Sequence, residues 1–182
     1  MILSFKTVIN GKPNYFIEKI WTCLKNEGLP FVTQIQYLSY LDLYDKTFND
    51  DHTRRKGWDG RVNWLDKVPE DLKPKLHTIR EDKKDRWKSG DKIHPVIKPK
   101  GRFSAGFQFA PTFPCVSTQT INIYHPMFED KTPGIKVDGK VLSLEHEKEL
   151  AVNDGFENLE DFYKYFDKTE TYKIIHFTNL RY

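Results

Sequence analysis

The 182-residue sequence contains only two cysteines, Cys23 and Cys115. They are too few for a disulfide framework or a four-cysteine zinc site, and no Cys or His motif lies near them at metal-ligand spacing. No uninterrupted apolar run approaches the roughly 18 residues of a membrane helix, and the first residues lack the apolar segment of a signal peptide. A glycine-rich phosphate loop is also missing. We therefore expect a cytoplasmic protein without a metal or cofactor, with no membrane partner and no nucleotide-hydrolysing motor.

The sequence does contain enough apolar residues for a folded core. Hydrophobic residues make up 38% of the chain and aromatic residues 14%, which excludes a disordered chain. A length of 182 residues suits a single domain. The 30% share of charged residues predicts a large polar surface.

Charge is distributed unevenly along the chain. Residues 73–102 carry eleven basic and four acidic residues, whereas residues 129–170 carry six basic and twelve acidic ones. The net charge of the whole chain is only +3. This pattern predicts one surface that faces a polyanion. The alternative is that the two segments neutralise each other in the fold.

Hydrophobic periodicity predicts four helices and a larger number of short strands. The first helix is expected from Pro13 to Gly28, with Phe16, Ile17, Ile20 and Leu24 on one apolar face. The others are expected at about 31–48, 144–152 and 159–166, with Asn158 as the N-cap of the last. The strands are expected at about 2–6, 76–81, 92–97, 116–124, 135–137, 140–142 and 172–178. Asp138-Gly139 predicts a type I′ turn between the fifth and sixth strands. Such an order is typical of an α+β fold or a small barrel rather than a parallel doubly wound sheet.

The segment from Lys73 to Arg80 holds the strongest candidates for a functional site. Strand alternation places Thr78 and Arg80 on one face, while Lys75 joins them only if Pro74 bends the chain. A threonine hydroxyl becomes a nucleophile only if a base takes its proton, and a lysine can do so when burial or nearby positive charge lowers its pKa. Arg80 is a candidate ligand for a phosphate or an oxyanion. Lys73 is the alternative base.

A second candidate surface lies in the segment 49–68, which lacks periodicity and is predicted to be a loop. Arg54, Arg55, Trp58 and Arg61 combine guanidinium groups with an indole, a combination suited to stacking on exposed bases. The alternative is that Trp58 and the nearby Trp64 fix the loop to the body of the protein.

Several motifs together resemble the ASCH domain family. They are Ile2-Leu-Ser-Phe-Lys6, Lys75-x-x-Thr78-x-Arg80, Trp87-Lys-x-Gly-Asp91, Asn153-Asp-Gly-Phe156, Phe162-x-x-x-Phe166 and Ile174-Ile-His-Phe-Thr178, in the family order. The resemblance covers about the first two dozen residues and everything from about Lys73 onward. It implies a single ASCH-like domain over 1–182, with an insertion at about 29–72.

The resemblance implies a small β-barrel similar to the PUA domain, with peripheral helices around a cleft that engages RNA or nucleotides. One branch of the family hydrolyses the acetyl amide of acetylated cytidine with a lysine as proton acceptor, a threonine as nucleophile and a glutamate as proton donor. By motif, these roles would fall on Lys75, Thr78 and Asp154. Asp154 is one methylene shorter than glutamate, and a displacement of about 1 Å can cost about a hundredfold in rate.

Three functions remain open from the sequence. The first is an RNA- or nucleotide-binding protein whose cleft is formed by Lys75, Thr78, Arg80 and Asp154. Its further ligand contacts would come from Lys73, Arg86, Lys88, Arg54, Arg55, Trp58 and Arg61. The second is a small hydrolase that acts on a modified nucleoside or on RNA. The third is a phage or mobile-element accessory protein that binds a protein partner through the insertion.

A purely structural role for the same residues is the remaining alternative. In that case Thr78 is an ordinary strand residue, Arg80 pairs with Asp154 or Glu81, and Asp154 begins a turn. His77, on the opposite face from Thr78, is expected to be packed.

Overall fold

A computed structural model describes residues 1–26, 39–40, 42–43, 71–97, 106–126 and 132–182. The second predicted helix and the predicted loop fall largely or wholly outside these ranges. The described residues form eleven strands and three helices. In chain order they are β1 Ile2–Phe5, β2 Val8–Ile9, β3 Lys12–Pro13, α1 Phe16–Asn26, β4 His77–Arg80, β5 Lys92–Ile97, β6 Phe107–Gln108, β7 Phe113–Pro114, β8 Ser117–Tyr124, β9 Gly134–Val137, β10 Lys140–Val141, α2 Leu144–Asn153, α3 Leu159–Tyr165 and β11 Glu170–His176.

The strands form two main sheets and one hairpin. The larger sheet is antiparallel and has the order β10-β9-β8-β11-β4. In the smaller sheet, β5 pairs in parallel with β1 and antiparallel with β6 and β7. Strands β2 and β3 form the hairpin. The predicted α+β class is confirmed, and across the described residues the strands do not close into a barrel.

Side-chain alternation along β11 separates two hydrophobic cores. Ile174 packs with α2 and α3, while the next residue, Ile175, packs with α1 and the smaller sheet. Both side chains are fully buried, because the larger sheet is covered on both faces. The apolar face predicted for α1 is buried as expected, and Trp87 belongs to the same core as Ile175.

Local signals explain where most of the elements begin and end. The backbone φ angles of Asp138 and Gly139 are 47° and 82°, which confirms the predicted turn between β9 and β10. The side chain of Asn158 accepts a hydrogen bond from the Asp161 N–H at 2.8 Å and caps α3, again as predicted.

The predicted start of α1 at Pro13 is wrong. Pro13 belongs to β3, and Tyr15 has a φ of 53°, which interrupts the chain before the helix. The Asn14 side chain then accepts a hydrogen bond from the Phe16 N–H at 3.0 Å, where the helix begins. Among the described residues, no helix combines the length and the apolar character that a membrane span needs.

Candidate functional site

Asp154 is the buried centre of the candidate site. It follows α2 as its C-cap, and Gly155 then turns the chain with a φ of +94°. Only 3% of Asp154 is exposed. Its Oδ1 atom accepts hydrogen bonds from the Ile79 N–H at 3.1 Å and from Lys75 Nζ at 2.8 Å. Strand β4 lies at the edge of its sheet, so the Ile79 N–H has no neighbouring strand to donate to. The Asp154 carboxylate accepts this hydrogen bond instead.

Lys75 is completely buried against Asp154. Its ammonium also donates to the Asp154 main-chain oxygen and lies 4.3 Å from the centroid of the Phe16 ring. The backbone N–H of Lys75 donates to the Lys19 carbonyl at 3.0 Å, which fixes the residue against α1. Because Lys75 precedes β4, the strand alternation used for Thr78 and Arg80 does not apply to it.

Burial and charge determine the protonation of this pair. Burial lowers the pKa of Lys75 from 10.5 to about 8; Asp154 opposes this shift, and Arg80 and Lys19 add to it. Burial by itself would raise the pKa of Asp154, but Lys75 and His77 outweigh that effect and hold it below its usual value. The pair is therefore ionised at neutral pH.

Thr78 does not join the pair. It is 1% exposed, and no hydrogen bond links its side chain to Lys75 or Asp154 among the described contacts. Thr78 lies on the β4 face that also carries Arg80, and Ile175 lies beside it on β11. The structure thus brings together two of the three residues that the resemblance assigns to catalysis.

Arg80 and Lys73 lie apart from the ion pair. Arg80 donates to the Ser4 carbonyl at 3.0 Å and lies 5.3 Å from the Phe5 ring centroid. Its guanidinium is not within ion-pair distance of Asp154 or of any other carboxylate in the described ranges. Lys73 is exposed and contacts neither Lys75 nor Asp154.

The charged run that follows Arg80 is largely neutralised by its own acidic residues. Arg86 Nε lies 3.5 Å from Asp82 Oδ1, and Lys88 forms an ion pair with Asp85. Lys83 lies 3.3 Å from Glu170, which belongs to the acidic C-terminal segment. Arg86 and Lys88 are both exposed on the surface, but their charges are compensated there. Arg54, Arg55, Trp58 and Arg61 lie outside the described residues.

A surface pocket of about 380 Å³, including open solvent at its mouth, lies next to the buried pair. Phe16 lines this pocket and also covers the Lys75 ammonium. The Lys19 ammonium donates to the Gly155 carbonyl at 2.7 Å and closes one wall. The lining residues are Ile9, Asn10, Lys12, Pro13, Asn14, Phe16, Lys19, Gly155, Phe156, Glu157 and Asp161.

Lys19 and Gly155 were not among the predicted site residues, although the sequence contains a signal for each. Lys19 falls within the apolar pattern of α1, and a lysine buried there needs a polar partner. Gly155 follows Asp154 in the Asn-Asp-Gly-Phe motif. A Cβ atom at Gly155 would lie 2.8 Å from Phe16 Cε1, so the glycine is required by close packing against the pocket wall.

A histidine pair lies behind Asp154. His77 is buried, as expected, and its Nε2 lies 2.9 Å from the Tyr182 hydroxyl. Its Nδ1 lies 3.5 Å from Asp154 Oδ1, at the long limit for a hydrogen bond. His176 Nε2 lies 3.0 Å from Gln119 Oε1. The Gln119 side-chain amide donates to Asp138 and to the Tyr182 carbonyl, so its oxygen is the acceptor and His176 carries its proton on Nε2.

Within the described ranges, no group of three or more His, Cys, Asp or Glu side chains is arranged to hold a metal ion. Comparison with known proteins gives no family: no protein-family model matches the chain, and neither a curated protein nor a solved structure is significantly similar to it.

Proposed function

We propose that this chain is an ASCH-like domain that binds RNA or a nucleotide in the pocket beside Lys75 and Asp154. The observation that carries the proposal is the buried ion pair directly behind the Phe16 ring, which is itself a wall of the pocket. The PUA-like barrel architecture implied by the resemblance belongs to the same proposal.

The energetics of the ion pair favour a functional role. Taking two charges out of water costs several kcal/mol per ion, and replacing a buried pair by apolar residues is often neutral or stabilising. Stability alone therefore gives little reason for Lys75 and Asp154 at these positions. Strongly shifted pKa values next to a pocket are typical of ligand and catalytic sites, and the pKa of Lys75 is lowered to about 8.

The chemistry of the pocket wall suits a nucleobase. Phe16 and Phe156 supply aromatic surface, with ring centroids 6.2 Å apart. Asn10 lines the same pocket and is exposed; its side-chain amide donates to the Asp161 carbonyl at 3.3 Å and can also pair with the polar edge of a base. Unpaired bases in RNA are recognised by this combination of aromatic surface and edge hydrogen bonds.

Binding is tested with short single-stranded RNA and with nucleotides, by fluorescence anisotropy and calorimetry at low and high salt. We expect affinity that falls as salt increases, since phosphate contacts release counterions. Lys12→Glu, at the exposed mouth of the pocket, is expected to weaken binding, whereas Lys148→Glu, exposed on α2, is the matched control. Absence of binding to both RNA and nucleotides at low ionic strength would overturn the proposal.

A hydrolase is the second candidate, favoured by one observation. Lys75, with a pKa near 8, is close to the range in which a lysine can accept a proton from a nucleophile. In the structure, however, its ammonium is directed at Asp154 rather than at Thr78. Hydrolysis would therefore require a rearrangement that brings Thr78 and Lys75 together.

The hydrolase candidate is tested with acetylated cytidine and with RNA as substrates. If the chain is such an enzyme, Thr78→Ala abolishes turnover and leaves folding intact. Thr118→Ala is the matched control, because Thr118 flanks Ile175 from β8 as Thr78 does from β4. Finding neither deacetylated nor cleaved product with the unmodified protein removes this candidate.

The third function, capture of a protein partner, depends on residues 49–68, which lie outside the described ranges.

A further inference from the structure

The Arg80 guanidinium has no carboxylate within ion-pair distance among the described residues, although it interacts electrostatically with Asp154. It is partly buried, it packs over Phe5, and it donates a hydrogen bond to the uncharged Ser4 carbonyl. A guanidinium has five N–H donors in a planar fork that matches a phosphate. A partly buried cation without a contacting carboxylate is costly, so this position favours an anionic ligand.

Two further groups lie close to the Arg80 guanidinium. Tyr165, at the end of α3, interacts with it electrostatically and through its hydroxyl. The Lys6 ammonium lies 4.9 Å from the centroid of the same Tyr165 ring. Lys6 directly follows Phe5 and is exposed, and like Arg80 it has no carboxylate partner among the described residues. Two cations and a phenol hydroxyl thus surround one small area of surface.

The contrast with the neighbouring charged run supports a distinct role for this area. Lys83, Arg86 and Lys88 each contact a carboxylate, so three of the four cations between Lys83 and Lys88 are compensated. Lys6 and Arg80 have no such contact with a carboxylate among the described residues, so their charge is available to a ligand.

The cluster is connected to the pocket on two sides. The Lys6 carbonyl accepts a hydrogen bond at 2.9 Å from the Asn14 side chain, which lines the pocket. Phe156 also lines the pocket, and its ring centroid lies 5.5 Å from that of Tyr165. Lys6 and Tyr165 are therefore direct neighbours of two residues that line the pocket.

We propose that Lys6, Arg80 and the Tyr165 hydroxyl form a phosphate site beside the pocket, which takes a phosphate group of the bound nucleotide or RNA. The proposal rests on the proposed function and specifies it: the ligand is a phosphorylated nucleoside rather than a free base or nucleoside. Lys6 and Arg80 supply charge, and the Tyr165 hydroxyl supplies a neutral donor.

The experiment compares dissociation constants for cytidine, cytidine 5′-monophosphate, inorganic phosphate and a short single-stranded RNA. We expect the monophosphate or the RNA to bind at least about tenfold more tightly than cytidine, as charge-assisted hydrogen bonds to phosphate allow. Lys6→Gln and Tyr165→Phe are expected to reduce that preference about three- to tenfold. Tyr165→Phe keeps the ring contacts with Phe156 and Phe166, so folding is not expected to change.

Lys140→Gln is the matched control. It removes the same charge from β10, the edge of the larger sheet opposite to β4, and is expected to leave the preference unchanged. If Lys6→Gln and Tyr165→Phe lose the preference for the monophosphate, the site binds a terminal phosphate. If they lose only the preference for RNA, the site binds a phosphate within the strand. Both results support the site.

Two results would overturn the phosphate site while leaving the proposed function intact. One is equal affinity for cytidine and its phosphorylated forms. The other is a preference that Lys6→Gln and Tyr165→Phe do not change. If none of the nucleoside, nucleotide and RNA probes binds, the proposed function itself fails and the phosphate site fails with it.

Discussion

The buried pair of Lys75 and Asp154 makes a sharp prediction about stability. Asp154→Asn keeps the size of the side chain and an oxygen for the Ile79 N–H, but it leaves the Lys75 ammonium buried without a counter-charge. Breaking a buried pair in this way costs about 3–5 kcal/mol. Lys75→Met leaves the carboxylate unpaired and is expected to cost a similar amount.

The double variant Lys75→Met with Asp154→Asn contains neither charge. We expect its loss of unfolding free energy to be about 2–3 kcal/mol smaller than the sum of the losses in the two single variants. Contacting residues of one network couple by up to that amount. Urea unfolding at neutral pH, followed by tryptophan fluorescence, measures all four proteins of this cycle.

The pH dependence gives a second measure of the same pair. The pKa of Lys75 is about 8 in the folded protein and 10.5 as its ordinary value, so between these pH values the unfolded chain binds more protons. The free energy of unfolding of the unmodified protein therefore gains up to about 3 kcal/mol from this group as pH rises from 8 to 10.5. Lys75→Met lacks this gain. Two results together would refute a buried, coupled pair. The losses of the two single variants would add up in the double variant, and the unfolding free energies of the unmodified protein and of Lys75→Met would depend equally on pH.

Two further predictions concern the residues around the pair. Burial lowers the pKa of His176 from 6.5 to about 3. Below pH 6.5 the unfolded chain therefore takes up a proton that the folded protein does not, and the free energy of unfolding decreases as pH falls. Urea unfolding should show a loss of about 3 kcal/mol from this group by pH 4.5. His176→Gln should lose less over that range, and identical pH profiles for the two proteins would contradict the assignment. Gly155→Ala places a Cβ 2.8 Å from Phe16 Cε1 at a φ of +94° and should cost roughly 1–3 kcal/mol in chemical unfolding. Gly139→Ala, with a φ of +82° and open space around the new Cβ, should cost less, and equal losses would argue against a tight wall at Gly155.

Local sequence signals predicted most of the described secondary structure. The Asp138-Gly139 turn and the Asn158 cap each express a short-range preference that the tertiary structure keeps. The start of α1 was predicted wrongly because Pro13 is favourable both in a first helical turn and at the edge of a hairpin. The positive φ of Tyr15 that decides between the two is not visible in the sequence.

The site was only partly predictable because it depends on contacts between distant segments. The pairing of Lys75 with Asp154 joins residues 79 positions apart, and no periodicity predicts such a contact. Strand alternation was a poor guide to Lys75, since the residue precedes β4. The contact of Lys6 with Tyr165 likewise joins the residue after β1 to the end of α3 and cannot be found by counting charges along one segment.

The central claim is that the pocket next to the buried pair binds the nucleotide or RNA ligand. Amide NMR shifts recorded during titration with cytidine 5′-monophosphate or short single-stranded RNA test it most directly. The account predicts that the largest shifts occur at Phe16, Lys19 and Gly155, with the Asp138-Gly139 turn unchanged. Shifts confined to the charged run from Lys83 to Lys88, or no shifts with either ligand, would contradict it.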